Sequence, residues 1–152
     1  MGVNMDSTIT IRPMEEKDLL QVFEIEKDSF SKPWSYNDFL ESIKGPNIYI
    51  VAIIQEEVAG YCGLWGVAGE GQINNVAVAK KFRNQGIAFV MLTQLIYLGK
   101  MQGLGEFTLE VRRSNHSAIT VYHKLGFLDE GYRKNYYEDP TEDALIMWLR
   151  KV

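Results

Sequence analysis

A single glycine stands where an apolar strand passes into an apolar helix. The segment reads INNVAVAKKFRNQGIAFVML over residues 73–92, with Gly86 at the junction. The first turn of a helix leaves about four backbone N–H groups unpaired, and with the helix dipole these groups form a site for an anion. Gly86 lets the backbone approach a ligand closely, and Arg83 could contact a phosphate directly. An ordinary strand-to-helix turn explains this local pattern equally well.

Two common phosphate loops are excluded. A P-loop needs Gly-Lys-Ser or Gly-Lys-Thr, and the chain has neither. A dinucleotide-binding loop needs three closely spaced glycines at the start of a βαβ unit, whereas Gly86 stands alone in mid-chain.

Glu110 is a candidate general base. In EFTLEVR, residues 106–112, apolar and polar residues alternate, so Glu110 and Arg112 share the polar face of a predicted strand. A glutamate there could take a proton from a nucleophile directly or through a water molecule. The alternative is a solvated strand face on which Glu110 pairs with Arg112, and the pattern by itself favours this alternative.

Other residues have a structural and a chemical interpretation. Tyr122 is on the apolar face of a predicted helix, which is typical of a core tyrosine, and Asn115 before it could be the N-cap. Cys62 has no histidine near it in sequence, so we expect a thiol packed in a strand rather than a nucleophile. His116 and His123 are expected to be exposed, and without a partner at ligand spacing they predict no metal site.

Period-two and period-3.6 patterns predict the elements that carry these residues. A helix over 15–30 places Leu19, Val22, Phe23 and Phe30 on one face, and Ser35 with Asp38 resembles a capping box for the next helix. The predicted strands are 8–12, 48–54, 58–67, 71–79, 106–112 and two near the C-terminus; the predicted helices are 15–30, 35–44, 86–103 and 115–125.

This element order is βααβββαβαββ. It predicts a mixed α/β fold with a mainly antiparallel sheet and one parallel crossover through the helix that begins at Gly86. At 152 residues, with a hydrophobic fraction of 46%, the chain is expected to be a single domain, 1–152, in which residues 1–6 form a flexible leader.

Charge and composition limit the surroundings and the partners. The single cysteine, and the lack of an apolar run long enough for a membrane span or a signal peptide, predict a cytoplasmic protein that does not bind membranes. The net charge of −4 argues against nucleic acid and favours a cationic partner, such as an amine or a basic protein terminus.

The motifs taken together resemble the GNAT N-acetyltransferases. RNQGIA fits the pattern Gln/Arg-x-x-Gly-x-Gly/Ala of their coenzyme loop, with Ala88 in place of the final glycine. The bacterial ribosomal-protein-alanine N-acetyltransferase branch is especially similar. This resemblance covers most of the chain in order: PWS (33–35), NVAV (75–78), LEVRRSN (109–115), AITVYHKLGF (118–127), RKNYY (133–137) and EDALIM (142–147).

The resemblance implies roles for particular residues. Glu110 would be the general base, and Tyr122 would be the acid that protonates the departing thiolate of acetyl-CoA. A backbone N–H at Val76 or Val78 would polarise the acetyl carbonyl. The residues implied in coenzyme binding are Val76, Ala77, Val78, Arg83, Asn84, Gln85, Gly86, Ile87, Ala88, Asn115 and Tyr122; those bordering the acceptor are Trp34, Tyr136 and Tyr137.

The acceptor is left open among amines. The resemblance favours the N-terminal α-amine of a ribosomal protein, with transfer to lysine or to a small amine such as a polyamine as the alternative. A non-catalytic acyl-CoA-binding module is a third interpretation, although such a module needs neither Glu110 nor Tyr122. The enzyme is expected to be a monomer or a weak dimer.

Overall fold

The structure, a computed structural model, describes residues 8–150. The predicted order βααβββαβαββ is confirmed, with two short 3₁₀ turns added at Glu16–Asp18 and Lys80–Phe82. The elements are β1 Thr10–Pro13, α1 Leu19–Ser29, α2 Tyr36–Lys44, β2 Ile48–Ile54, β3 Glu57–Val67, β4 Glu70–Val78, α3 Ile87–Met101, β5 Glu106–Arg112, α4 His116–Lys124, β6 Leu128–Tyr137 and β7 Glu142–Leu149. The predicted leader, residues 1–6, lies outside the described residues.

All seven strands form one sheet in the order β1-β2-β3-β4-β5-β7-β6. Neighbouring strands are antiparallel except β4 and β5, which are parallel and are connected by α3. A parallel pair requires such a crossover because the chain must return to the same end of the sheet before the second strand begins. The predicted antiparallel sheet with one crossover is therefore confirmed.

Local signals position the ends of the helices well. The Ser35 hydroxyl accepts a hydrogen bond from the Asp38 amide at 3.1 Å, and the Asp38 carboxylate accepts one from the Ser35 amide at 2.8 Å. This reciprocal pair is the predicted capping box, and it satisfies two amides at the start of α2. Gly103, at φ 89°, follows the end of α3 as predicted, in a conformation that glycine adopts without strain.

The first helix differs from its prediction. A 3₁₀ turn precedes α1, and the helix ends at Ser29, so Phe30 lies outside it and is 40% exposed. The apolar stripe continues instead through Ile25 and, unexpectedly, Glu26, both of which are buried with Leu19 and Val22. The prediction that Phe30 belongs to the apolar face of this helix is wrong, because one aromatic residue at helical spacing does not show whether the helix has already ended.

Two hydrophobic clusters lie on opposite faces of the sheet. Alternate residues of β2 point to opposite faces, so Ile50 belongs to the cluster under α3 and α4, while Val51 belongs to the cluster under α1 and α2. α3 and α4 therefore lie on one face of the sheet, and α1 and α2 lie on the other. Among residues 8–150, no helix combines the length and the apolar character needed to cross a bilayer.

Candidate active site

The centre of the sheet opens between β4 and β5. Within the described chain these strands pair only at their first residues, from Glu70 opposite Glu106 to Gln72 opposite Thr108. Beyond Gln72 the register of β4 with β3 shifts, and Asn74 is the extra residue between the paired positions on either side of it. A bulge of this kind bends and twists its strand. The second half of β4 therefore separates from β5 and leaves a gap between them.

Backbone amides of β4 face this gap. The Ala79 amide donates to the Ala59 carbonyl of β3 at 2.7 Å. Because successive amides of a strand point to opposite sides, those of Val76 and Val78 must point away from β3 and toward β5. The Val78 carbonyl is on this side as well, since it accepts a hydrogen bond from Arg83 Nε at 3.0 Å. Backbone amides that face a gap, as those of Val76 and Val78 do, are the type of donor that stabilises a developing oxyanion.

The turn after β4 leads directly into α3. Gly86 is the N-cap in the left-handed region at φ 78°, and Asn84 before it is also left-handed at φ 63°. The Gly86 carbonyl accepts the first helical hydrogen bond, from Val90 N at 3.2 Å, and no side chain caps the turn. The first amides of α3 are thus presented by backbone geometry alone, which is the arrangement that suits a bound anion.

The other residues of the predicted coenzyme loop surround this turn. Arg83 reaches from the end of β4 to the end of α1, where Nη2 lies 3.4 Å from the Ser29 hydroxyl. Gln85 donates to the Lys81 carbonyl at 3.5 Å. Ile87 is buried in the core, and Ala88 is half-buried beside it. The loop is therefore anchored at Ile87, and its exposed side carries the Arg83 guanidinium.

Glu110 lies on the polar face of β5 and does not pair with Arg112. Its carboxylate forms an ion pair with Arg133 of β6 and interacts electrostatically with the Tyr136 hydroxyl. The suggested pairing with Arg112 is wrong, because Arg112 contacts Glu142 of β7 instead, at 3.3 Å. The Arg133 side chain is 58% exposed, so its ion pair with Glu110 is solvent-screened and easily broken.

Tyr122 is a buried tyrosine of α4. Its ring is 6.0 Å from that of Phe127, and burial raises the pKa of its phenol, with further contributions from Cys62 and Tyr137. Tyr122 is therefore protonated at neutral pH. Cys62 is fully buried, and burial raises the pKa of its thiol, so the prediction of an unreactive, strand-packed cysteine is confirmed.

Tyr137 connects the carboxylate to the buried phenol. Burial raises the pKa of Tyr137, and the negative charge of Glu110 raises it further. The Arg112 guanidinium carbon lies 4.7 Å from the centre of the Tyr137 ring. Tyr137 interacts electrostatically with Tyr122 as well. Glu110, Tyr122, Tyr136 and Tyr137, which are up to 27 positions apart in the chain, thus form one electrostatically linked cluster at β5. Tyr136 and Tyr137, the two tyrosines of RKNYY, lie at the end of β6.

Asn115 and Trp34 have clear structural roles. The Asn115 side chain accepts a hydrogen bond from the Ala118 amide at 3.3 Å, so it is the predicted N-cap of α4. Trp34 is half-buried between α1 and α2, with its ring centre 5.2 Å from that of Phe39 and 6.2 Å from that of Trp65. Trp34 belongs to the hydrophobic cluster under α1 and α2, not to the tyrosine cluster at β5.

Sequence reasoning missed a buried carboxyl group beside the site. Glu26 of α1 is 2% exposed, and it accepts hydrogen bonds from the Trp34 amide at 2.9 Å and from the Tyr61 hydroxyl at 2.5 Å. Its side chain also contacts Asn75 of β4, and burial raises its pKa. Glu26 therefore ties α1 to the bulged strand. Its position on the apolar stripe of α1, four residues after Val22, is the signal that could have revealed it.

The histidines lie away from this cluster. His116 and His123 are both exposed, as predicted, and His123 Nε2 is 2.7 Å from an Asp129 oxygen. Residues 8–150 contain no group of three or more histidine, cysteine, aspartate or glutamate side chains that could hold a metal ion.

Comparison with known proteins identifies the family. The model of the acetyltransferase (GNAT) family matches residues 19–127, which include the gap, the glycine turn and Tyr122. The chain belongs to the GNAT family. This membership makes the chain an acetyltransferase.

Individual GNAT relatives match over nearly the whole length. A Bacillus subtilis (strain 168) protein, named provisionally as a ribosomal protein bS18-alanine N-acetyltransferase, is 38% identical over 147 residues, covering 95% of this chain and 97% of its own. The Escherichia coli (strain K12) protein named for the same activity is 34% identical over 143 residues, covering 92% and 96%. The crystal structure of the Escherichia coli ribosomal-protein-S18-alanine N-acetyltransferase has a TM-score of 0.85 at 32% identity, covering 93% of each chain.

Proposed function

We propose that this GNAT enzyme transfers the acetyl group of acetyl-CoA to the N-terminal α-amine of a ribosomal protein. The opened β4–β5 pair is the observation that carries the proposal, because it offers two backbone amides beside a carboxylate and a buried phenol. The relatives named for alanine N-acetylation of bS18 support the choice of acceptor. A cytoplasmic location fits such an acceptor.

Backbone amides of α3 and β4 would make most of the contacts with the coenzyme. The diphosphate would accept hydrogen bonds from the first amides of α3 after Gly86, and the Arg83 guanidinium would exchange its contacts with Val78 and Ser29 for a phosphate oxygen. The pantetheine arm would lie along β4 in the gap, pairing like an added strand. The acetyl carbonyl would then accept a hydrogen bond from the Val76 or Val78 amide.

The chemistry is direct transfer with one proton removed and one delivered. Glu110 takes a proton from the amine, directly or through a water molecule, and the amine nitrogen attacks the thioester carbon. The new C–N bond forms, the C–S bond breaks, and the Tyr122 phenol gives its proton to the departing sulfur. The phenol carries the required proton at neutral pH; because burial raises its pKa, the proton moves only as negative charge builds on the departing sulfur.

An α-amine is the acceptor that this site can activate most easily. An α-amine has a pKa of about 8, whereas a lysine amine has a pKa of about 10.4, so far more of the α-amine is neutral at pH 7. Glu110 is already held by Arg133 and Tyr136 and is partly exposed, so it is suited to the modest help that an α-amine needs. Tyr136 and Tyr137, next to Glu110, would border the acceptor backbone.

A peptide panel read by mass spectrometry tests this function. The panel contains the N-terminal peptide of ribosomal protein bS18 from the same organism, the same peptide with a blocked α-amine and one internal lysine, and a polyamine. We expect acetylation of the free α-amine only. Modification of the lysine or the polyamine in preference to the α-amine would overturn the assignment of the acceptor while leaving the acetyltransferase chemistry intact.

A further inference from the structure

One side chain of β5, that of Arg112, joins two segments that are far apart in the sequence. The Arg112 guanidinium donates to the backbone carbonyls of Glu138 at 2.7 Å and Pro140 at 2.8 Å. It also contacts the Ser31 hydroxyl at 3.3 Å and the Glu142 carboxylate at 3.3 Å. Arg112 is thus the centre of a network that includes Ser31 after α1, the turn that contains Glu138 and Pro140, and Glu142 at the start of β7.

The segments held by this network come from opposite ends of the sequence. One is the α1–α2 segment, residues 30–35, and the other is the β6–β7 turn, residues 138–141. Their direct contacts are peripheral: Ser31 Oγ donates to the Glu138 carbonyl at 3.2 Å, and Lys32 forms an exposed ion pair with the Glu138 carboxylate. The exposed ion pair contributes little, so the two segments are joined mainly by the Ser31 hydroxyl and by Arg112, which contacts both of them.

The geometry requires arginine. The guanidinium has five donors in a planar fork, so a single side chain can reach carbonyls on one segment and a hydroxyl on the other at the same time. Its plane also lies over the ring of Tyr137, with 4.7 Å between the guanidinium carbon and the ring centre. With only 24% of its side chain exposed, Arg112 is held in one conformation by partners on several sides.

Arg112 also has a fixed relation to the candidate base. Two residues apart on β5, Arg112 and Glu110 project from the same face of the sheet. Tyr137, which Arg112 stacks on, interacts with Glu110. A movement of the 138–141 turn would therefore change the space in front of Glu110.

We propose that Arg112 is a positioning residue for the acceptor: by fastening the α1–α2 segment to the β6–β7 turn, it sets the width of the entrance through which the amine reaches Glu110. This inference rests on the proposed function, since it takes these segments to be the walls of the acceptor site. The hydrogen-bond partners of Arg112 are Ser31, Glu138, Pro140 and Glu142, none of which belongs to the coenzyme turn, so we expect coenzyme binding not to depend on Arg112.

Steady-state kinetics of Arg112→Ala and Arg112→Lys test the role in the acceptor site. We expect Arg112→Ala to raise the KM for the acceptor peptide by about tenfold or more, because several hydrogen bonds to a charged group are lost, while the KM for acetyl-CoA stays within about twofold. Arg112→Lys should recover only part of the loss, because an ammonium group lacks the planar fork. The matched control is Arg113→Ala at the next residue, where the arginine is 62% exposed and pairs with Asp143 at 3.7 Å.

Hydrogen–deuterium exchange tests the fastening without any acceptor. In Arg112→Ala, the amides of residues 30–35 and 138–141 should both exchange faster, whereas Arg113→Ala should leave both segments as in the wild type. Unchanged exchange in these segments, or a rise in the KM for acetyl-CoA equal to that for the peptide, would overturn the proposal. If the enzyme acetylates another amine instead, the proposed acceptor fails, but the exchange result and the KM split measured with that amine still decide the role of Arg112.

Discussion

Gly86 allows the coenzyme turn to be tested against a matched glycine elsewhere in the fold. Gly86 has φ 78° and Gly69 has φ 81°, and at both positions an added Cβ would meet no atom within 4 Å. Gly86 begins α3, whereas Gly69 is in the turn between β3 and β4. Alanine at either position therefore introduces the same backbone strain with no steric clash, and only one of the two changes alters the candidate anion site.

The expected effects on stability are equal. A residue with a side chain in the left-handed region costs about 1–2 kcal/mol, so Gly86→Ala and Gly69→Ala should each lower the melting temperature by about 2–8 °C. The effects on coenzyme affinity should differ. If the strained turn rotates enough to lose one amide hydrogen bond to the diphosphate, about 1.5–3 kcal/mol of binding energy is lost, which is about 10- to 150-fold in Kd.

Isothermal titration calorimetry with acetyl-CoA measures the difference. We expect weaker binding in Gly86→Ala, no measurable binding in Gly86→Val because a β-branched residue rarely adopts this conformation, and nearly wild-type affinity in Gly69→Ala. Normal affinity in Gly86→Val would remove this turn from the binding site. Equal weakening in the two alanine variants would mean that general strain, and not the amides of α3, accounts for the loss.

Three further predictions concern the acid, the base and the buried carboxyl group. Tyr122→Phe should lower kcat by about 10²-fold or more in steady-state kinetics, with little change in acetyl-CoA affinity by calorimetry. Because burial raises the pKa of Tyr122 above 10.0, this residue should add no limb to the pH–rate profile between pH 6 and 9. Equal turnover in Tyr122→Phe would discard the acid role. The loss of activity in Glu110→Gln should be largest at low pH, where the amine is protonated. A loss that does not depend on pH would indicate a structural role for Glu110 instead. Glu26→Ala should lower the free energy of unfolding in urea by about 2–5 kcal/mol, because the part-buried Trp34 amide and the buried Tyr61 hydroxyl lose their acceptor. A change below about 1 kcal/mol would contradict this network.

The sequence by itself determined the features that depend on near neighbours. The Ser35–Asp38 capping box, the N-cap at Asn115 and the start of a helix at Gly86 could all be read from a few adjacent residues, and each is present. The alternation of β5 correctly separated its buried face from the face that bears Glu110. These features are readable because the hydrogen bonds and side-chain periods that create them span only a few residues of one chain segment.

The tertiary structure alone decided which distant side chains meet. Glu110 pairs with Arg133 rather than Arg112, and Arg112 reaches Ser31, 81 positions away, because the sheet order brings β5 between β4 and the β6–β7 hairpin. The burial of Glu26 likewise depends on its contacts with Tyr61, 35 positions away, and with Asn75 at the β4 bulge. Charged side chains have several possible partners of similar energy, and the selection among them is made by the packing of whole elements, which no local pattern records.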